Sequence, residues 1–182
     1  MITAIFATGP NGEFGNKDGT LPWGSFPEEL DAFFHTVSQL EFDTILVGAT
    51  TWATLPKSAK RTILDSANTE PDIFVFDPNK SYHMQDATFR VVKITNTIQT
   101  LFQGSNVLVL GGAYLLGELF NLGLVDNAYV SRVNNGLRQG FAADTRLNWS
   151  VYNVNQETTV VETGLSGEKD GLSFVQELRI YK

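Results

Sequence analysis

The chain has 182 residues, 42% of them hydrophobic, with 20 acidic against 13 basic residues and a formal charge of -7. This length and apolar content support a single domain over residues 1–182 with a sizeable core and exclude a disordered chain; the acidic balance disfavours nucleic-acid binding, which needs clustered Lys and Arg. The absence of Cys excludes disulfides and thiolate chemistry, and the two imidazoles, His35 and His83, lack ligand spacing, so neither a metal site nor a Ser-His-Asp triad is expected.

Ile2–Thr8 reads as a strand and leads into a Gly/Asn loop through Gly19. The opening MITAIFATG has no basic leader region and no apolar run is long enough to cross a bilayer, which makes the cytoplasm the expected compartment and removes a membrane partner. Ser25 is placed as an N-cap with Glu28 three residues on, and Leu30, Phe33, Phe34 and Val37 follow the spacing of an amphipathic helix ending near Leu40. Thr44–Val47 is a buried-type strand that meets Gly48 and a short helix with Trp52 and Leu55. Residues 56–72 read as an irregular excursion holding Lys57, Lys60 and Arg61. Ile73–Phe76 and Phe89–Val92 are strands, Ile98–Phe102 is a short helix, and Val107–Leu110 is a strand ending in Gly111-Gly112 before a helix at Tyr114–Leu122. Tyr129–Val133, Val151–Glu162 and Leu172–Ile180 complete the strands, the last two pairing around Gly164-Leu165-Ser166-Gly167. The alternation predicts an α/β fold: a mostly parallel central sheet, an antiparallel C-terminal hairpin and about four flanking helices.

Two strand-to-helix turns carry glycine, Gly48-Ala49-Thr50-Thr51 and Gly111-Gly112-Ala113. Such turns lie at the carboxyl ends of parallel strands, where α/β sheets bind ligands, and they let phosphates approach the backbone. Neither is a GxGxxG fingerprint nor a P-loop, which disfavours Rossmann dehydrogenases and P-loop kinases. Glu29 and Phe33 share a helix face next to Leu21-Pro22-Trp23. A carboxylate over an aromatic suits a flat, nitrogen-rich heterocycle held by two parallel hydrogen bonds. The helix alone favours Glu29 as a first-turn partner of the helix dipole, and allows Trp23 as a staple or core residue.

Ile2–Ala7, Phe14-Gly15, Leu21-Pro22-Trp23, Glu29 with Phe33, Gly48 followed by Thr51-Trp52, Leu110-Gly111-Gly112, Tyr129–Val133 and Ala143-Asp144-Thr145 occur in the order seen in dihydrofolate reductases. The chain resembles that family over nearly its whole length. Leu-Pro-Trp-Gly, Val-Gly-x-x-Thr-Trp and Val-Ser-Arg-Val look most like a divergent, phage-type member, for which the compartment would be the host cytoplasm. The resemblance implies a dihydrofolate reductase-like fold, hydride transfer from NADPH to C6 of 7,8-dihydrofolate with protonation at N5, a place in one-carbon metabolism, antifolate binding and a monomeric enzyme. By the same resemblance Glu29 is the acid that holds the pterin, Leu21 and Trp23 belong to the catalytic loop, and water near Leu21 delivers the proton. Ser131 supports the acid through water. Ile5, Ala7, Leu30, Phe33, Leu55 and Leu110 form the substrate walls, and Arg61 takes the substrate carboxylate, with Lys60 or Lys57 as alternatives.

On the cofactor side the match covers Ala7, Phe14, Gly15, Gly48, Ala49, Thr50, Thr51, Asp77, Gly111, Gly112, Ala113, Tyr114, Leu115, Leu116 and Thr145, with Gly111 and Gly112 joined by a cis peptide. Asp144 and Thr145 match a loop that stabilises the closed catalytic loop. Ala49 and Tyr114 stand where the family commonly has cations for the adenosine 2′-phosphate, and Asp77 stands where a small hydroxyl residue often lies. These departures predict a weakened NADPH preference, with NADH tolerance or compensation by Lys80. Leu116 replaces an aromatic hydroxyl near nicotinamide. Two other readings compete: a reductase of a pyrimidine intermediate in flavin biosynthesis, which would not be expected to keep Trp23 and Glu29, and a binding or structural protein that has lost catalysis on the same fold.

Overall fold

The computed structural model describes residues 1–136, 139–148 and 157–182. In chain order the elements are β1 (Ile2–Thr8), β2 (Glu13–Gly15), α1 (Pro27–Gln39), β3 (Thr44–Gly48), α2 (Ala49–Thr54), α3 (Lys57–Asp65), β4 (Asp72–Phe76), β5 (Phe89–Val91), α4 (Ile98–Leu101), β6 (Val107–Val109), α5 (Ala113–Asn121), β7 (Asn127–Asn135), β8 (Thr145–Arg146), β9 (Thr158–Lys169) and β10 (Leu172–Tyr181). Eight strands form one sheet in the order β5-β4-β3-β6-β1-β7-β10-β9, and β2 pairs with β8 apart from it. The pairs from β5 through β7 are parallel, while β10 runs antiparallel to β7 and β9.

The apolar runs of the inner strands follow from burial on both faces. Along β1, Ala4 and Phe6 enter one core cluster and Ile5 the other; Leu46 likewise opposes Ile45 and Val47, and Val109 opposes Leu108 and Leu110. The two-residue period of the strand sorts the side chains between two helical layers. A third cluster joins Trp23 and Phe26 to Val133 and Phe174 under the C-terminal hairpin.

The structure departs from the sequence expectations at several points. Ser25 is not the N-cap of α1: Phe26 holds that position, Pro27 starts the helix, and no side chain caps it. The fixed φ of proline presets the first helical residue, so the turn forms without the capping box. The buried residues of α1 are Glu29, Ala32, Thr36 and Val37, whereas Leu30 is exposed. Residues 56–72 are not wholly irregular, because α3 occupies Lys57–Asp65 and adds a fifth helix. Ile63 is fully buried and Leu64 and Ala67 pack beside it, so a short apolar stripe anchors a segment of good helix formers.

The C-terminal hairpin does not turn at Gly164–Gly167. Asp170 (φ 50°) and Gly171 (φ 81°) make the turn, both in the left-handed region that a two-residue hairpin loop requires. Gly164 (φ 85°) instead lies in a bulge: Val175 pairs with Ser166 and Glu177 with Glu162. The expected strand over 151–162 lies partly outside the described residues, and β9 begins at Thr158.

Candidate active site

The carboxyl ends of β1, β3, β4 and β6 meet at one edge of the sheet, where a cleft of about 650 Å3 opens. Glu29 lies on its wall in the first turn of α1 and is only 5% exposed. Burial pushes its carboxyl up to about 7, and a hydrogen bond from the Ser131 hydroxyl opposes that rise. Ser131 sits on β7 beside Ala7 of β1, on the strand next to the one that ends at the cleft. Ile5, Ala7, Leu30, Phe33, Leu55 and Leu110 line the cleft around this carboxylate. The exposure of Leu30, 48%, follows from facing the cleft instead of the core.

The two glycine turns meet on the floor. The Gly48 N–H donates to the Gly111 carbonyl at 2.6 Å, and a Cβ on Gly48 would stand 3.0 Å from the Gly112 nitrogen. Gly111 has φ +96°, and a Cβ there would meet the Phe14 ring at 3.0 Å. The Gly111–Gly112 peptide is cis. Gly112, Ala113, Tyr114 and Leu115 border the cleft at the start of α5, and Ala49, Thr50 and Thr51 border it at α2. Leu116 is fully buried behind this floor, with its Cδ1 3.8 Å from a Cβ built on Gly111, and does not line the cleft. Farther along, the exposed Tyr114 ring stacks on Phe76 with centroids 5.8 Å apart.

Asp77 does not present a bare negative charge at this end. Its Oδ1 accepts from the Ser81 hydroxyl at 3.0 Å, and its Oδ2 accepts from the Tyr82 N–H at 2.7 Å and lies 3.4 Å from Arg90 Nε. The carboxylate is a buried organiser of the 77–82 loop, and its pairing with Arg90 removes the basis for repelling a phosphate. Lys80 lies outside the cleft lining, its N–H bonded to the Asp77 carbonyl.

Phe14 through Leu21 form a lip over the cleft. Asp144 Oδ2 accepts the Lys17 N–H at 2.8 Å, the Asp144 N–H donates to Asn16 Oδ1 at 3.2 Å, and the Thr145 hydroxyl donates to the Gly15 carbonyl at 3.0 Å. A further anchor is absent from the sequence reading. Glu13 is fully buried; its carboxylate accepts from Arg146 at 3.0 Å and from the N–H groups of Asn11 (2.9 Å) and Phe141 (3.3 Å). These bonds outweigh burial and hold its pKa below the usual carboxylate value. An isolated glutamate in a Gly/Asn loop carries no periodicity that marks it as buried.

Not every expected residue reaches the cleft. Trp23 packs in the third cluster, edge-on to Phe141 at 5.8 Å, outside the lining. Arg61 projects into solvent 3.7 Å from Asp65. Lys60 pairs with Asp86 at 2.8 Å and lies 4.5 Å over the Trp52 ring. Lys57 follows Pro56, which does line the cleft.

No protein-family model matches the chain. It is 37% identical over 186 residues to the dihydrofolate reductase of Escherichia phage T5, covering 100% of each chain. The fold is similar to a solved dihydrofolate reductase from Enterococcus faecalis complexed with NADP(H) and RAB-propyl, with TM-score 0.65, 19% identity, and coverage of 100% of this chain and 96% of that one.

Proposed function

This chain belongs to the dihydrofolate reductase family, and from that premise we propose how its own cleft reduces 7,8-dihydrofolate to tetrahydrofolate with NADPH. The observation that carries the reading is Glu29, a buried carboxylate facing a cleft whose remaining wall beside it is apolar. A planar pterin offering its 2-amino group and N3 gives that carboxylate two parallel donors, which offsets the cost of burying it. Ser131 fixes the side chain before the ligand arrives. Glu29 then orients the pterin and favours its protonated form electrostatically. Leu21, on the lip, controls the entry of the water that brings the N5 proton.

The glycine floor fits a dinucleotide. Side chains at Gly48 or Gly111 would meet backbone or the Phe14 ring, so the surface stays open to a ring and a pyrophosphate. The unpaired N–H groups of the first turn of α5 and the hydroxyls of Thr50 and Thr51 would hold the phosphates. Bound there, NADPH supplies the hydride for C6. One domain carries the whole site, since the main sheet takes strands from Ile2 to Tyr181.

Consumption of NADPH or NADH with dihydrofolate tests the reading, and no turnover with either would favour a binding protein. With Asp77 neutralised, the parent is expected to favour NADPH. Arg90→Ala would leave Asp77 buried without its cation; the KM for NADPH should rise severalfold while that for dihydrofolate stays put. For the substrate carboxylate, Lys57 is favoured because it follows Pro56, which lines the cleft, whereas Arg61 lies beside Asp65 in solvent. Lys57→Ala is expected to raise the KM for dihydrofolate about fivefold and Arg61→Ala to leave it unchanged, by steady-state kinetics.

A further inference from the structure

Behind Glu29 lies a buried polar contact that no step above uses. Gln176 on β10 is 1% exposed, and its Oε1 accepts hydrogen bonds from Thr36 of α1 at 3.1 Å and Thr163 of β9 at 3.0 Å. Its Nε2 is buried with no acceptor among the described residues. The bulge around Gly164 sets this up, because Thr163 is the residue at which β9 leaves its register with β10. Gln176 is also the cross-strand neighbour of Ser131, so the two side chains share a sheet face.

Glu29 and Thr36 stand two turns apart on one face of α1. The helix is therefore joined to the β7–β10 pair through the Thr36–Gln176 bond, one cross-strand step from Ser131. Apolar packing fixes how closely a helix approaches a sheet but resists sliding and rotation weakly, whereas a directional buried bond fixes register. An apolar residue at position 176 would take the acceptor from the Thr36 and Thr163 hydroxyls, so the amide holds α1, β9 and β10 in one geometry.

We propose that Gln176 is a positioning residue for pterin recognition, fixing through Thr36 the register of α1 that aims Glu29 into the cleft. This rests on Glu29 being the pterin-binding acid. The test measures equilibrium affinities for dihydrofolate and NADPH, together with kcat, in Thr36→Val, Thr36→Ser, Gln176→Met and Glu29→Gln. Thr36→Val and Gln176→Met should weaken dihydrofolate binding about fivefold and lower kcat, with NADPH affinity unchanged. Thr36→Ser, which keeps the hydroxyl, should return to within about twofold of the parent. Parent-like dihydrofolate affinity in folded Thr36→Val overturns the proposal, whatever its melting temperature. Equal weakening of both ligands overturns it too, since that marks general loosening. If Gln176→Met does not fold, Thr36→Val decides alone. Glu29→Gln separates the two claims: if it binds dihydrofolate like the parent, the acid is misassigned and the proposal falls with it; if it loses affinity while the Thr36 variants do not, the positioning role alone falls.

Discussion

Glu29→Gln is expected to melt at a higher temperature than the parent at pH 8 while losing at least about 100-fold in kcat/KM for dihydrofolate. The two effects have one cause. Burial raises the Glu29 carboxyl from 4.5 to about 7, so the folded protein holds that proton more tightly than the unfolded chain does. For a raised pKa the stabilising contribution is complete below the unfolded value and disappears as pH rises through the folded one. Between pH 4.5 and about 7 the parent therefore loses stability that a neutral amide keeps. This difference corresponds to roughly 3 kcal/mol above that window, or about 6–12 °C in Tm for a chain of this size. The variant and parent should converge near pH 4.5. Thermal melts across this range check the sign, and a variant less stable than the parent at pH 8 would show that the carboxylate is well compensated in the free protein.

Gly111→Ala is expected to be the most damaging change on the cofactor side. Its φ of +96° lies where a Cβ is strained, and that Cβ would stand 3.0 Å from the ring of Phe14, which lines the cleft. Strain of this kind costs about 1–3 kcal/mol. The displaced ring lines the cleft that is proposed to take the dinucleotide, so NADPH affinity should fall at least about tenfold. Gly104→Ala provides the control, because Gly104 has φ +82° with nothing within 4 Å of a built Cβ. It should lose stability through the backbone alone and keep its NADPH affinity. Melting temperature and dissociation constant, measured on both variants, separate strain from damage to the site.

The parts of this molecule legible in its sequence are those set by local pattern. Apolar β-branched runs gave the inner strands because both faces of the sheet are buried, and glycine at the ends of Thr44–Gly48 and Val107–Val109 marked the cleft floor. Partners distant in sequence were not legible. Glu13 is buried because residues 141 and 146 cover it, and Asp77 is neutralised by Arg90, and neither pairing leaves a local trace. Gly164 looked like a turn because a bulge and a hairpin both need a left-handed residue; only the pairing register tells them apart. In α1 the hydrophobic spacing pointed to Leu30, yet the helix turns Glu29 and Thr36 inward, since their partners Ser131 and Gln176 lie on strands more than 90 residues away.

The most direct test compares turnover of 7,8-dihydrofolate by the parent and by Glu29→Gln, at saturating NADPH, following loss of reduced-nicotinamide absorbance and confirming tetrahydrofolate as product. The parent should produce tetrahydrofolate, and the folded variant should retain no more than a few per cent of that rate. Equal rates from the two proteins would contradict the assignment of Glu29 as the acid on which the site is built.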